Sequence, residues 1–130
     1  MISNKKLKAK EKSYKFGIAA EKTAAIFLRL KGYRIIAERY HNPKGEIDIL
    51  AVKGKVLAVV EVKARQNFSQ CAYSIPPWKQ QKILGALEWL MAGGGKISGL
   101  AMAGERIIRF DAILIVPWRL PKHLKDAWRI

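Results

Sequence analysis

Across residues 13–31, Phe16, Ala20, Ala24, Phe27 and Leu28 fall at the three- and four-residue steps of one helix face. Ser13 is placed to cap the start of that helix and Gly32 to stop it. Residues 33–40 read as a strand, and His41-Asn42-Pro43-Lys44-Gly45 is a dense turn signal. Two further strands, 46–52 and 56–65, flank Lys53-Gly54-Lys55, which predicts an antiparallel hairpin. Residues 66–78, with Pro76-Pro77, read as a loop. A second amphipathic helix over 79–91 would bury Ile83, Leu84, Leu87 and Leu90 and turn Lys79, Gln80, Gln81 and Lys82 to solvent. Consecutive glycines break the chain at 92–96. Strands are expected at 97–102 and 106–116, and a short basic helix at 121–130. The order αβββαββ, with its early hairpin, predicts an α/β fold in which helices flank a mixed central sheet.

A chain of 130 residues, half of them hydrophobic, is one globular domain by size and composition. The division expected is a flexible basic arm over 1–12 followed by a single domain over 13–130. No apolar run approaches the ~20 residues that span a bilayer. The Lys-rich start lacks the apolar stretch of a secretion signal. Cys71 is the only cysteine, so no internal disulfide can form, and His41 and His123 offer no zinc-finger spacing. A cytoplasmic location is the expectation.

Charge changes the picture. Lys and Arg number 25 against 10 Asp and Glu, a formal +15 that attracts polyanions through long-range fields and counterion release. Ribosomal and surface-bound membrane proteins share this balance, so it points to nucleic acid without implying catalysis. The scarce acids are more specific. Glu46, Asp48 and Glu61 fall in or beside the most hydrophobic strands, and Glu61 and Lys63 share one strand face, as do Glu46 and Asp48. A Lys53-Gly54 loop would set Val52 opposite Lys55, Asp48 opposite Val59 and Glu46 opposite Glu61, with Asp48 diagonal to Glu61. A one-residue slip would separate them. Two close carboxylates repel and lose hydration, and a divalent cation relieves both. Hard oxygen donors without His or Cys favour Mg²⁺ or Mn²⁺, and Lys63 would face the developing charge of phosphodiester hydrolysis. The plainer reading is a cross-strand Glu–Lys ion pair on a wet surface. Glu21, whose helical neighbours Gly17, Ile18, Ala24 and Ala25 offer no basic partner, is either a further member or a boundary residue. Arg65, Lys79 and Lys82, with Lys5, Lys6, Lys8, Lys10, Lys12 and Lys15 of the arm, are candidate phosphate contacts. Asp111 reads as structural. Trp78, Trp89, Trp118 and Trp128 are not spaced as a stacking platform and are assigned to core or rim.

The segments Phe16–Glu21 (FGxxAE), 31–33 (KGY), 45–51 (GEIDILA), 60–65 (VEVKAR) and 109–111 (RFD) resemble the YraN-like family of small bacterial proteins. That family looks like a member of the restriction-endonuclease-like superfamily, on the branch similar to archaeal Holliday-junction resolvases. The likeness runs from Phe16 to Val116. It implies a nuclease-like domain, with Glu21, Asp48, Glu61 and Lys63 in catalytic roles and Asp48 and Glu61 holding the metal. Ile47 stands where the superfamily often has proline, and 92–104 matches no part of the pattern. The expectation is a Mg²⁺- or Mn²⁺-dependent endonuclease on DNA, branched DNA included; the resolvase likeness allows a homodimer, though no residue marks a dimer surface. The alternatives are a nucleic-acid-binding protein that does not cleave, and a basic partner of an acidic protein or anionic membrane surface.

Overall fold

The computed structural model describes residues 3–68, 75–93, 95, 98–101 and 106–130. The elements run α1 (Asn4–Leu30), β1 (Arg34–Asn42), β2 (Gly45–Lys53), β3 (Val56–Ala64), α2 (Pro77–Met91), the short α3 (Ser98–Ala101), β4 (Ile107–Ile115) and β5 (Lys122–Trp128). The five strands form one sheet in chain order, antiparallel throughout except for the parallel pair β3–β4. A parallel pair needs a crossover, and α2 and α3 supply it. One face of the sheet packs on α1 through Ala20, Ala24, Ala25 and Leu28, with Ile49, Ala51, Ala58, Val60, Ile113 and Ile115 beneath. The other packs on α2 through Ile83, Ala86, Leu87 and Leu90, with Leu50, Val52, Leu57, Val59 and Phe110. The result is the expected mixed sheet between helices.

Three elements differ from expectation. Helix α1 begins at Asn4, not at 13, and its cap is Ser3, whose hydroxyl accepts from the Lys6 N–H at 3.3 Å. Residues 3–15 are all exposed, so no buried stripe announces this half of the helix; its lysines are simply good helix formers. Of the strand expected at 97–102, residues 98–101 are helical, and 97 and 102 lie outside the described residues. The last strand is instead β5, where a basic helix was expected. It is held from afar: Asp111 of β4, fully buried, accepts from His123 Nε2 at 2.8 Å and from the Asp126 N–H at 3.0 Å. Arg109 braces the same carboxylate at 2.7 Å through two nitrogens and reaches the Tyr33 hydroxyl at 2.7 Å. Burial works against the Asp111 anion, but the His123, Arg109 and Asp126 hydrogen bonds outweigh it and hold its pKa below the ordinary value. Asp111 is thus structural, tying β5 to the core.

Two close approaches fix α2 against the β1–β2 turn. A Cβ built on Gly45 would lie 1.8 Å from the Lys82 carbonyl oxygen, and one on Gly85 would lie 2.5 Å from that of Lys44. Asn42 completes the contact, accepting from the Lys44 and Gly45 N–H groups (2.9 and 3.2 Å) and donating to the Ala86 carbonyl at 2.9 Å. Gly17 is the opposite case: an added Cβ meets nothing within 4 Å. Gly45→Ala should therefore lower unfolding free energy by about 3 kcal/mol or more, because the obstacle is backbone. Gly17→Ala should raise it by about 0.5–1 kcal/mol through helix propensity. Urea denaturation of the two variants beside wild type measures both.

Candidate active site

The hairpin turn is Gly54-Lys55, not Lys53-Gly54, with Gly54 at φ +58°, the left-handed conformation such turns demand of their first central residue. Lys53 therefore pairs with Val56, Leu50 with Val59 and Ile49 with Val60. The register differs from the expected one by two residues, which preserves the face of every side chain. The β2–β3 ladder runs as far as Ile49–Val60. Beyond it the Asp48 carboxylate accepts the Val62 N–H at 2.8 Å.

Strands β1 and β2 turn together at this point, keeping their register. Ile47 packs in the cluster under α2, whereas Ile49 and Ala51 pack under α1. Strict alternation would put all three on one face. Opposite, Tyr40 and Ala37 both pack toward α2, and the residue between Glu38 and Tyr40 is Arg39, at φ +49°. A non-glycine residue in that region is strained. The turn in the backbone leaves the Arg39 guanidinium 3.6 Å from Glu21 Oε2 on α1. Glu21, Asp48 and Glu61 thus gather where the strands part, between the two helices.

The cluster is crowded with charge. Glu61, its side chain 11 % exposed, lies 3.6 Å from Lys79 Nζ, which also reaches Glu46 Oε1 at 3.3 Å. Burial, then the Asp48 charge, push the Glu61 carboxyl up to about 8, and the proton it keeps is shared in a hydrogen bond with Asp48. Burial and Asp48 likewise raise Glu21, against the pull of Arg39. Burial disfavours the Lys79 cation, but the fields of Glu61, Asp48 and Glu46 together outweigh it and raise its pKa. Lys63 is buried, on the same strand face as Glu61. Three concavities meet here. One is lined by Glu21, Arg39, His41, Glu46, Asp48 and Lys79, one by Glu61, Lys63, Arg65, Trp78 and Lys79, and one by Phe16, Gly17, Glu21, Val62 and Arg65.

The donor set suits a hard cation. Glu61 Oε2 and Glu21 Oε2 are buried without a hydrogen-bond partner among the described residues, and such atoms are costly to leave unmatched. Among the described residues no three His, Cys, Asp or Glu side chains form a ready-made ligand group. Two carboxylates are what Mg²⁺ commonly takes from a protein, since it retains several waters.

Of the candidate residues, Glu21, Asp48, Glu61 and Lys63 thus lie together. Lys79 does not face solvent as its helical position suggested; its side chain is 17 % exposed and already ion-paired with carboxylates. Arg65 is exposed, and Lys82 lies over the Trp78 ring at 5.6 Å. Lys5, Lys6, Lys8, Lys10, Lys12 and Lys15 line the exposed half of α1, the first of them roughly 24 Å along the axis from Glu21. Sequence reasoning missed Arg39, whose position depends on its left-handed backbone where β1 and β2 turn together, and the pairing of Glu46 with Lys79.

The sequence profile of the uncharacterised protein family UPF0102 matches residues 20–115. Proteins of that family name resemble the chain over most of its length. One from Rhodopseudomonas palustris (strain BisB5) is 45 % identical over 117 residues, covering 89 % of this chain and 84 % of the relative. One from Parvibaculum lavamentivorans is 44 % identical, covering 90 % and 84 %. One from Sinorhizobium medicae is 41 % identical over 119 residues, covering 92 % and 93 %.

Glu61 holds its proton in the folded chain up to about pH 8, against an ordinary value of 4.5. Folding takes up a proton between those values, so stability falls as pH rises through that window, and Glu21 adds in the same direction. In EDTA the urea midpoint should decline from pH 5.5 to 8. Glu61→Gln should remove most of the decline; an unchanged slope in the variant refutes the assignment.

Proposed function

The chain belongs to the uncharacterised protein family UPF0102, and from that membership and the geometry of its carboxylate cleft we propose a Mg²⁺- or Mn²⁺-dependent endonuclease acting on DNA, branched DNA included. The observation that carries the reading is a buried, unpartnered Glu61 oxygen beside Asp48, at the open end of a cleft in a chain of formal charge +15. A divalent cation held by Asp48 and Glu61 would supply Lewis-acid polarisation of a phosphoryl oxygen. Lys63, buried beside Glu61 on the same strand face, sets a fixed positive charge where negative charge develops. Glu21 and Arg39 close the α1 side of the cleft and hold each other's orientation. Lys79 balances Glu46 and Glu61 and offers the phosphate a cation within the same cavity. The arm lysines, with Arg65 and Lys82, supply sequence-independent backbone contacts.

One observation favours the non-cleaving alternative. Lys79 already neutralises the carboxylates, as a structural ion-pair cluster would. The two readings part on activity.

Asp48→Ala and Lys63→Ala should each lower Mg²⁺-dependent cleavage of duplex, single-stranded or four-way substrates at least ~10²-fold, with binding in EDTA nearly unchanged. Changing the six arm lysines to glutamine should leave the cleavage chemistry intact. It should weaken binding and reduce the slope of log K against log salt by up to about 5, near 0.9 per lost phosphate contact. Wild-type protein that cuts none of these substrates with Mg²⁺ or Mn²⁺ leaves the binding module as the better reading.

A further inference from the structure

Trp118 is wholly exposed and stands at φ +61°. It follows Pro117 in a turn closed by the Arg119 N–H to the Val116 carbonyl at 3.2 Å. Pro at the first central position and positive φ at the second are the marks of a turn that favours glycine where Trp118 sits. Backbone strain there and a large ring left in water both cost free energy, and full exposure leaves the ring no burial to offset them. Such an outlier points to a surface that works on something outside the chain.

What it borders gives the occupant. Trp118 lines a cavity of about 240 Å³ with Arg119, Pro117, Thr23, Ala20 and Phe16. Phe16 and Ala20 also line the neighbouring groove of about 430 Å³ with Ser13, Gly17, Val62, Arg65 and Glu21. Glu21 in turn borders the cavity that holds Asp48 and Lys79. The three spaces are therefore chained through shared residues, from the carboxylates past Phe16 to Trp118. Gly17 keeps the middle groove open. Upstream on α1, Lys6, Lys10, Ser13, Gly17 and Glu21 follow at four- and three-residue steps, so two arm lysines lie over the same helix face as the groove. Aromatic faces at intervals, with Arg65 and Arg119 beside them, are the requirements of a single strand whose bases stack while its phosphates meet cations; a duplex keeps its base faces covered.

We propose that this chain of cavities is a track for single-stranded nucleic acid, with Phe16 and Trp118 as stacking platforms, leading one strand away from the carboxylate cleft. The track rests on the nuclease reading for its purpose, and it narrows the substrate to nucleic acid with an unpaired strand next to the reacting phosphate. Trp118 is a binding residue here, correcting its assignment to core or rim; Trp128 alone of the four is buried.

The test is fluorescence anisotropy of full-length protein in EDTA with labelled oligo(dT) and a blunt duplex of equal length. Trp118→Gly removes the ring and suits the positive φ, and Gly17→Leu fills the groove while favouring helix, so both should melt at or above the wild-type temperature. Each should weaken oligo(dT) binding roughly tenfold and duplex binding no more than twofold. Wild-type affinity for oligo(dT) in both variants overturns the track, as does an equal loss on duplex. So does unchanged oligo(dT) binding accompanied by lost binding to anionic phosphatidylserine vesicles, which would make Trp118 a membrane contact. Selective loss of oligo(dT) binding in both variants, beside a wild-type protein that never cleaves, upholds the track and removes the nuclease. Cleavage with oligo(dT) binding unaffected by either variant does the reverse.

Discussion

Everything at the cleft depends on the parting of two neighbouring strands. Past Ile49–Val60 the Asp48 carboxylate takes the Val62 N–H. A carboxylate tied to its neighbour's backbone in this way cannot rotate freely, and it stands beside a second carboxyl that burial has made reluctant to ionise. The left-handed backbone of Arg39 lets β1 turn with β2 in unbroken register, Glu38 opposite Ile49 and Tyr40 opposite Ile47, while β2 and β3 separate. Without that paired irregularity, regular alternation would place Ile47 on the α1 face with Ile49 and Ala51.

The central hairpin was legible because it is local: a glycine turn between two runs of β-branched residues admits few alternatives. The turn lay one residue later than the sequence suggested, yet a two-residue change of register leaves every side chain on its own face. The meeting of Asp48 with Glu61 therefore tolerated the error. Arg39, and the pairing of Lys79 with Glu46 and Glu61, were not legible, because they are set by the shared turn of β1 and β2 and by the fit of Gly45 against Lys82, neither of which leaves a periodic trace. Strand β5 was hidden for a related reason. Lys-His-Leu-Lys-Asp-Ala-Trp carries no β-branched residue, and what makes it a strand is a buried carboxylate twelve residues upstream of His123.

The basic balance of the chain is unevenly distributed. Lysines crowd the exposed half of α1, while the interior sequesters its charges in two closed groups, one around Asp111 and one around Glu61. The first is satisfied on every side and acts as a fastening. The second leaves two oxygens, Glu21 Oε2 and Glu61 Oε2, without a hydrogen-bond partner among the described residues, and unmatched oxygens in a cleft are a place for chemistry.

The interlocked glycines have a mechanical meaning as well. Gly45 and Gly85 clamp α2 to the turn only one residue from Glu46 and one helical turn from Lys79, so that wall of the cleft is a rigid jaw. Opposite it, α1 rests on alanines and then projects for three turns with every residue in water. The two walls of the cleft are therefore backed differently, one by backbone against backbone and the other by the methyl groups of Ala20, Ala24 and Ala25.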